Sequence, residues 1–126
     1  MTDYDITMEP QFGGLERFDV NQAKTLSDHP WFNRTLCAVN QSLVRLGVFD
    51  GAFHWHHHDG EDELFYVVDG ELQIEVEGRD TIVLGPQQGV VIPAGVRHRP
   101  LAPTGATVLM VESNSIVPTG TPATGP

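Results

Sequence analysis

From Gln41 onward, short apolar runs alternate with turn residues at close intervals. Residues 72–76 give the clearest pattern. Leu72, Ile74 and Val76 fall on one face, and Gln73 and Glu75 on the other. This is the period-two signature of a strand with one buried and one wet side. Runs 43–48, 53–58 and 64–68 each lead into an Asp-Gly pair (Asp50-Gly51, Asp59-Gly60 and Asp69-Gly70), a strong short-range turn signal. Gly78-Arg79-Asp80 turns the chain into 81–84, which Gly85-Pro86 breaks, and 90–92 stops at Pro93. Segments 96–101 and 107–111 complete the set. About eight short strands in about seventy residues predict an all-β domain, and a jelly-roll barrel is the arrangement that hides most strand edges.

Helical periodicity is weak throughout. One short helical turn is predicted after Asp19, an Asx cap followed by Val20-Asn21-Gln22 and Ala23, and Asp28-His29-Pro30 reads as a stop. Residues 1–38 are therefore expected to form an irregular or helical N-terminal arm, 39–116 the barrel, and the Pro-, Gly- and Thr-rich 117–126 a flexible C-terminal tail. Leu64-Phe65-Tyr66-Val67-Val68 is apolar on both faces, whereas a barrel strand needs one. The outer residues Leu64, Tyr66 and Val68 call for a cover, either the arm or a second subunit, so a homodimer is expected.

The chain has 126 residues, enough for one domain with one core. Its 17 acidic and 7 basic residues give a formal charge of 7 − 17 = −10. Such a surface repels phosphate backbones and anionic membranes, so neither nucleic acid nor a membrane is an expected partner. Cys37 is the sole cysteine, which excludes an intramolecular disulfide and a zinc-cysteine cluster. The acidic N-terminus carries no apolar run, and no stretch approaches a membrane span. A cytoplasmic location is expected.

Four of the six histidines lie in His54-Trp55-His56-His57-His58. On a strand, His54, His56 and His58 project to one side. Three imidazoles pointing into a barrel are costly if charged and hard to satisfy if neutral, and a metal ion resolves both problems. Glu63 follows the Asp59-Gly60 turn, so a hairpin brings its carboxylate beside His56 and His58. His98 follows the turn Pro93-Ala94-Gly95 on a short strand that can approach the same cavity. The competing reading is a histidine-rich surface strand. The run's place between Phe53 and the apolar segment 64–68 favours the metal. Three histidines and a glutamate leave one or two coordination positions open, as a catalytic site does.

These residues carry a family resemblance. His56-x-His58, four residues, Glu63, six residues and Gly70 are similar to the first cupin motif. Pro93-x-Gly95, two residues and His98 resemble the core of the second. The resemblance spans roughly 44–112 and extends to small single-domain bacterial cupins, among them relatives of mannose-6-phosphate isomerase and of polyketide cyclases. It implies a double-stranded β-helix, the cupin jelly roll, with His56, His58, Glu63 and His98 as metal ligands. His54 matches no ligand position. Gln87 stands where the second motif usually opens with glycine, Ala102 where an asparagine is usual, and Gly51 is one place from the first motif's leading glycine.

The ligand set admits one divalent ion of Fe, Mn, Ni, Co, Cu or Zn per chain. The expected function is a metal-dependent enzyme of the dioxygenase, isomerase or cyclase type acting on a small oxygen-rich molecule. The alternative is a non-catalytic metal-dependent module that binds or senses a small ligand. His54 is the candidate acid or base outside the ligand set, with a lining role equally open. By strand parity Phe65 and Val67 share a face with Glu63, and Val96 with His98, making these three the expected pocket lining. So apolar a pocket argues against a multiply phosphorylated sugar. Arg97 and Arg99 fall on the opposite face, while Arg45 can take either.

Overall fold

The computed structural model describes residues 4–122. Among them are strands β1 (Asp5–Thr7), β2 (Trp31–Val39), β3 (Ser42–Ala52), β4 (His56–His57) and β5 (Glu63–Gly70). β6 (Leu72–Val76), β7 (Ile82–Leu84), β8 (Gly89–Ile92), β9 (His98–Ser113) and β10 (Thr121–Pro122) follow. The helix α1 (Val20–Ala23) runs into a 3-10 turn, Lys24–Leu26. Asp19 caps α1 as the sequence predicts, its Oδ1 accepting from Gln22 N–H at 3.1 Å.

β9 organises the molecule because both faces of the jelly roll share it. Its C-terminal half pairs with β3 and β5, and the order β1-β2-β3-β9-β5-β8 makes one sheet. Its N-terminal half pairs with β6 and β4, giving β7-β6-β9-β4-β10. The sheet does not close into a full cylinder. The core lies between the two faces. Phe65, Val67, Val108 and Met110 come from the first, and Leu72, Ile74, Leu84 and Ala102 from the second. β6 alternates buried and half-buried positions as its pattern requires.

Several boundaries differ from the sequence expectation. The arm ends at Pro30, because residues 31–38 belong to β2, which pairs with β3 along its length and buries Trp31, Phe32 and Asn33. Asp50-Gly51 is a register shift inside β3, with Gly51 at φ +94°, and not a turn. Of the expected strand 53–58 only His56–His57 forms a ladder. The two expected strands 96–101 and 107–111 are one strand, bent at Gly105, φ +91°. Asp69-Gly70 is not a hairpin but the corner where the chain leaves one face for the other. A Cβ on Gly70 would lie 2.2 Å from the Gly105 carbonyl oxygen, so glycine is required there.

The expected tail is structured as far as it is described. Ile116 is buried, Gly120 N–H donates to the Val117 carbonyl, and β10 pairs with β4. Proline and glycine suit this strap because Gly120 sits against His56, where a Cβ would come within 2.6 Å of the ring. Residues 123–126 of that tail lie outside the described residues. No helix among the described residues is long and apolar enough to cross a membrane.

Candidate metal centre

His56 in β4 and His98 at the start of β9 are cross-strand partners with ring centroids 4.4 Å apart. His58 follows β4, and Glu63 opens β5 on the facing sheet. The turn Pro93-Ala94-Gly95 of the second motif is braced from both sides. Gly95 N–H donates to the His58 carbonyl at 2.7 Å, and Ala94 N–H to Asp62 Oδ1 at 2.9 Å. Gly95 takes φ +81°, as the second inner position of this turn demands.

All four side chains are buried, and one potential donor atom from each lies within 4.8 Å of the others. Glu63 Oε1 is 3.5 Å from His58 Nε2 and 3.6 Å from His98 Nε2, too far for good hydrogen bonds. These three atoms are buried without a hydrogen-bond partner. Converging unsatisfied atoms are rare and costly in a core. Donors about 2.1 Å from one ion lie roughly 3–4 Å from each other, so the spacing fits a single metal. The ring tautomers agree. His56 Nδ1 donates to the His54 carbonyl and His98 Nδ1 to the Val96 carbonyl, each at 2.9 Å, which leaves both Nε2 lone pairs for the ion.

Burial, reinforced by the neighbouring imidazoles, pushes the His56 pKa down to about 3. Burial raises the Glu63 carboxyl, while His58 and His98 lower it, a pull that operates when the facing Nε2 carries a proton; the balance falls below the usual carboxylate range. A neutral imidazole and an ionised carboxylate are the forms that bind metal. Behind Glu63 stands a pair that strand parity left undecided or unnoticed. Arg45 points inward, fully buried. Its guanidinium donates to Glu112 Oε1 at 3.2 Å, Thr35 Oγ1 at 2.9 Å and the Thr7 carbonyl at 2.9 Å. Glu112 is the cross-strand partner of Glu63. Burial and then the Glu63 charge push its carboxyl well above the usual range, against the pull of Arg45. The signal was present in the sequence: charged residues at the inward parity of apolar strands.

A cavity of about 20 Å³ adjoins His56 and Glu63, walled by Trp31, Phe49, Phe53, Phe65 and Met110 and roofed by Pro118. It holds roughly one water-sized molecule. Phe65 is among its lining residues. Val67 faces inward but is packed in the core, away from this cavity. Val96 precedes β9, so parity does not govern it. It packs against the core and gives its carbonyl to His98. A broader concavity of about 550 Å³ lies at the Gly70 end of β5 and includes none of the four residues.

The His54 ring lies 5.2 Å from that of His56 but is not among the converging donors, because residues 53–55 are not in a strand and alternation does not carry back to it. Tyr4 OH bonds its Nδ1 at 2.9 Å, and its Nε2 donates to the Thr119 carbonyl at 2.8 Å. Both ring nitrogens are engaged within the protein, so His54 is not placed to exchange a proton with a molecule at the cluster. Arg97 and Arg99 face outward as expected, paired with Glu77 and Glu75 and flanking Trp55.

Comparison with known proteins fits this geometry. The family model of the cupin domain matches residues 43–113. The chain belongs to the cupin domain family. This cupin is 45% identical over 67 residues to the uncharacterized protein YdbB of Bacillus subtilis (strain 168), covering 53% of the chain and 59% of that protein. It is 41% identical over 44 residues to the polyketide synthase CurC of Streptomyces cyaneus, covering 35% of the chain and 28% of that protein. It therefore spans less than two thirds of either curated relative. Among solved structures, a cupin-2 domain containing protein of Shewanella frigidimarina NCIMB 400 superposes with a TM-score of 0.72 at 31% identity. That match covers 76% of this chain and 93% of the other.

Proposed function

We propose that this cupin is a metal-dependent enzyme acting on a small oxygen-rich organic molecule, by dioxygenase, isomerase or cyclase chemistry. The observation that carries the reading is the convergence of unpartnered His58 Nε2, Glu63 Oε1 and His98 Nε2, with His56 beside them, next to an apolar cavity. His56, His58, Glu63 and His98 would hold one divalent ion, which when bound supplies Lewis acidity and open coordination positions for an oxygen ligand. The protein's own residues do the rest. The His54 and Val96 carbonyls hold the His56 and His98 rings in the ligating tautomer. Arg45 and Glu112 back Glu63, and the aromatic walls exclude bulk water. His54 serves as a brace between Tyr4, the strap and His56, not as the acid or base.

The small cavity of about 20 Å³ also suits a binding or sensing module without turnover. Two measurements separate these readings. Elemental analysis should find about one Fe, Mn, Ni, Co, Cu or Zn per wild-type chain, and far less in His56→Ala and His98→Ala. Absence of metal and of uptake in the wild type would sink both readings. Turnover of diols, enols and phenols by the loaded protein, compared under air and nitrogen, then supports the enzyme and names its class. Binding without turnover supports the module.

A further inference from the structure

Asn33 lies on β2, facing inward across from Gly47, and is 5% exposed. Its Oδ1 is buried without a hydrogen-bond partner, and the side chain lines the cavity shared by His56 and Glu63. The next inward residue along the strand, Thr35, is used by Arg45. Nothing among the described residues uses the Asn33 amide oxygen. A buried amide oxygen left so costs stability that leucine in its place would not. The neighbouring walls are aromatic. Trp31 and Phe49 stack at 3.9 Å with planes 8° apart, and Phe53 tilts onto Trp31 at 5.0 Å. Gly47 makes room for the Phe49 ring, since a Cβ there would lie 2.0 Å from it.

We propose that Asn33 selects the molecule bound beside the metal, and that this molecule is a small planar phenol or enol. One of its oxygens faces the ion, and a neighbouring hydroxyl donates to Asn33 Oδ1. This rests on the metal reading above. The aromatic walls favour a flat ring, and the unpartnered Asn33 Oδ1, beside the candidate ligands His56 and Glu63, favours a ligand with a well-placed donor. The cavity is partly open but holds about one water, so admitting a ring requires its lining, Pro118 of the strap included, to shift. The strap is held by the two-residue β10–β4 ladder and by the Thr119 carbonyl on His54, contacts of the kind that open locally at low cost. A site built around a hydroxyl donor discriminates strongly against analogues that lack it, because their binding leaves the buried acceptor unpaired.

The test uses the full chain loaded with zinc, which is redox-inert, and nitrocatechol as the probe. Binding is followed by the probe's visible absorbance, and metal content by elemental analysis of the same samples. The wild type should bind the probe, and Asn33→Leu should bind it about ten- to a hundred-fold more weakly at unchanged zinc content. The ligand-free Asn33→Leu protein should melt no lower than wild type, a result that an amide with a structural bond would not give. Equal affinity in the two proteins overturns the proposal and leaves Asn33 holding a water. So does a zinc-loaded wild type that ignores the probe. A wild type that takes up no zinc overturns the metal reading itself, and the zinc measurement reports that separately.

Discussion

At the scale of single residues, burial sets the protonation of His56. His56 has its pKa pushed down to about 3 from 6.5, burial being the main cause. The unfolded chain therefore takes up a proton on this residue at a pH where the folded chain does not. Stability from His56 is complete above about 6.5 and drains as pH falls toward 3, by up to about 1.4 kcal/mol per pH unit. The urea midpoint of the metal-free protein should drop across that window, and less so in His56→Asn. Equal slopes in the two proteins would contradict it. Gln87 shows residue-scale strain of another kind. It holds φ +66° at the position where the family's second motif usually has glycine. Its side chain is exposed, and its backbone N–H donates to the Val67 carbonyl. Gln87→Gly should raise stability by roughly 0.5–1 kcal/mol in equilibrium unfolding, the left-handed penalty less glycine's entropy cost.

At the scale of elements, the site depends on where strands cross. His56 and His98 meet because β4 and β9 pair through those two residues, and Glu63 faces them because β5 leaves β9 on the other sheet. Gly70 is the pivot of that exchange, at φ +84° with its hydrogen against the Gly105 carbonyl. Gly70→Ala must either push the two segments apart or distort φ, and should cost about 2 kcal/mol or more by chemical denaturation. A change within error would show that the corner relaxes freely. The Asp-Gly pairs misled for the same reason. Asp50-Gly51 and Asp69-Gly70 supply positive φ, which a bulge and a sheet-switching corner need as much as a hairpin does. Val96 and His54 were misplaced because alternation holds only inside a strand, and both residues lie outside one.

At the scale of the whole molecule, the outer face of β5 and β8 leaves apolar side chains exposed. The arm packs on the other edge, where Gln11 and Phe12 N–H donate to the Thr35 and Leu36 carbonyls, and Phe32 and Leu46 are fully covered. Tyr66 and Val91 stay 37% and 52% exposed beside half-buried Leu64. We expect two copies to meet there. Light scattering should give about twice the chain mass of 13.8 kDa, and Tyr66→Glu with Val91→Glu should return a monomer. A monomeric wild type would refute this. The sequence by itself determined the class of fold, because alternation and turn residues encode strands locally. It also determined the four candidate ligands, because their spacing within two short motifs is itself local. The tertiary structure decided what no local pattern holds. It brought Asn33, Arg45 and Glu112 beside the four candidate ligands from three different strands. It placed His54 between Tyr4 and the Thr119 carbonyl, and it brought Pro118 of a Pro- and Gly-rich tail to the cavity. Those placements depend on cross-strand register and on close backbone approach, and both exist only once the two faces have packed together.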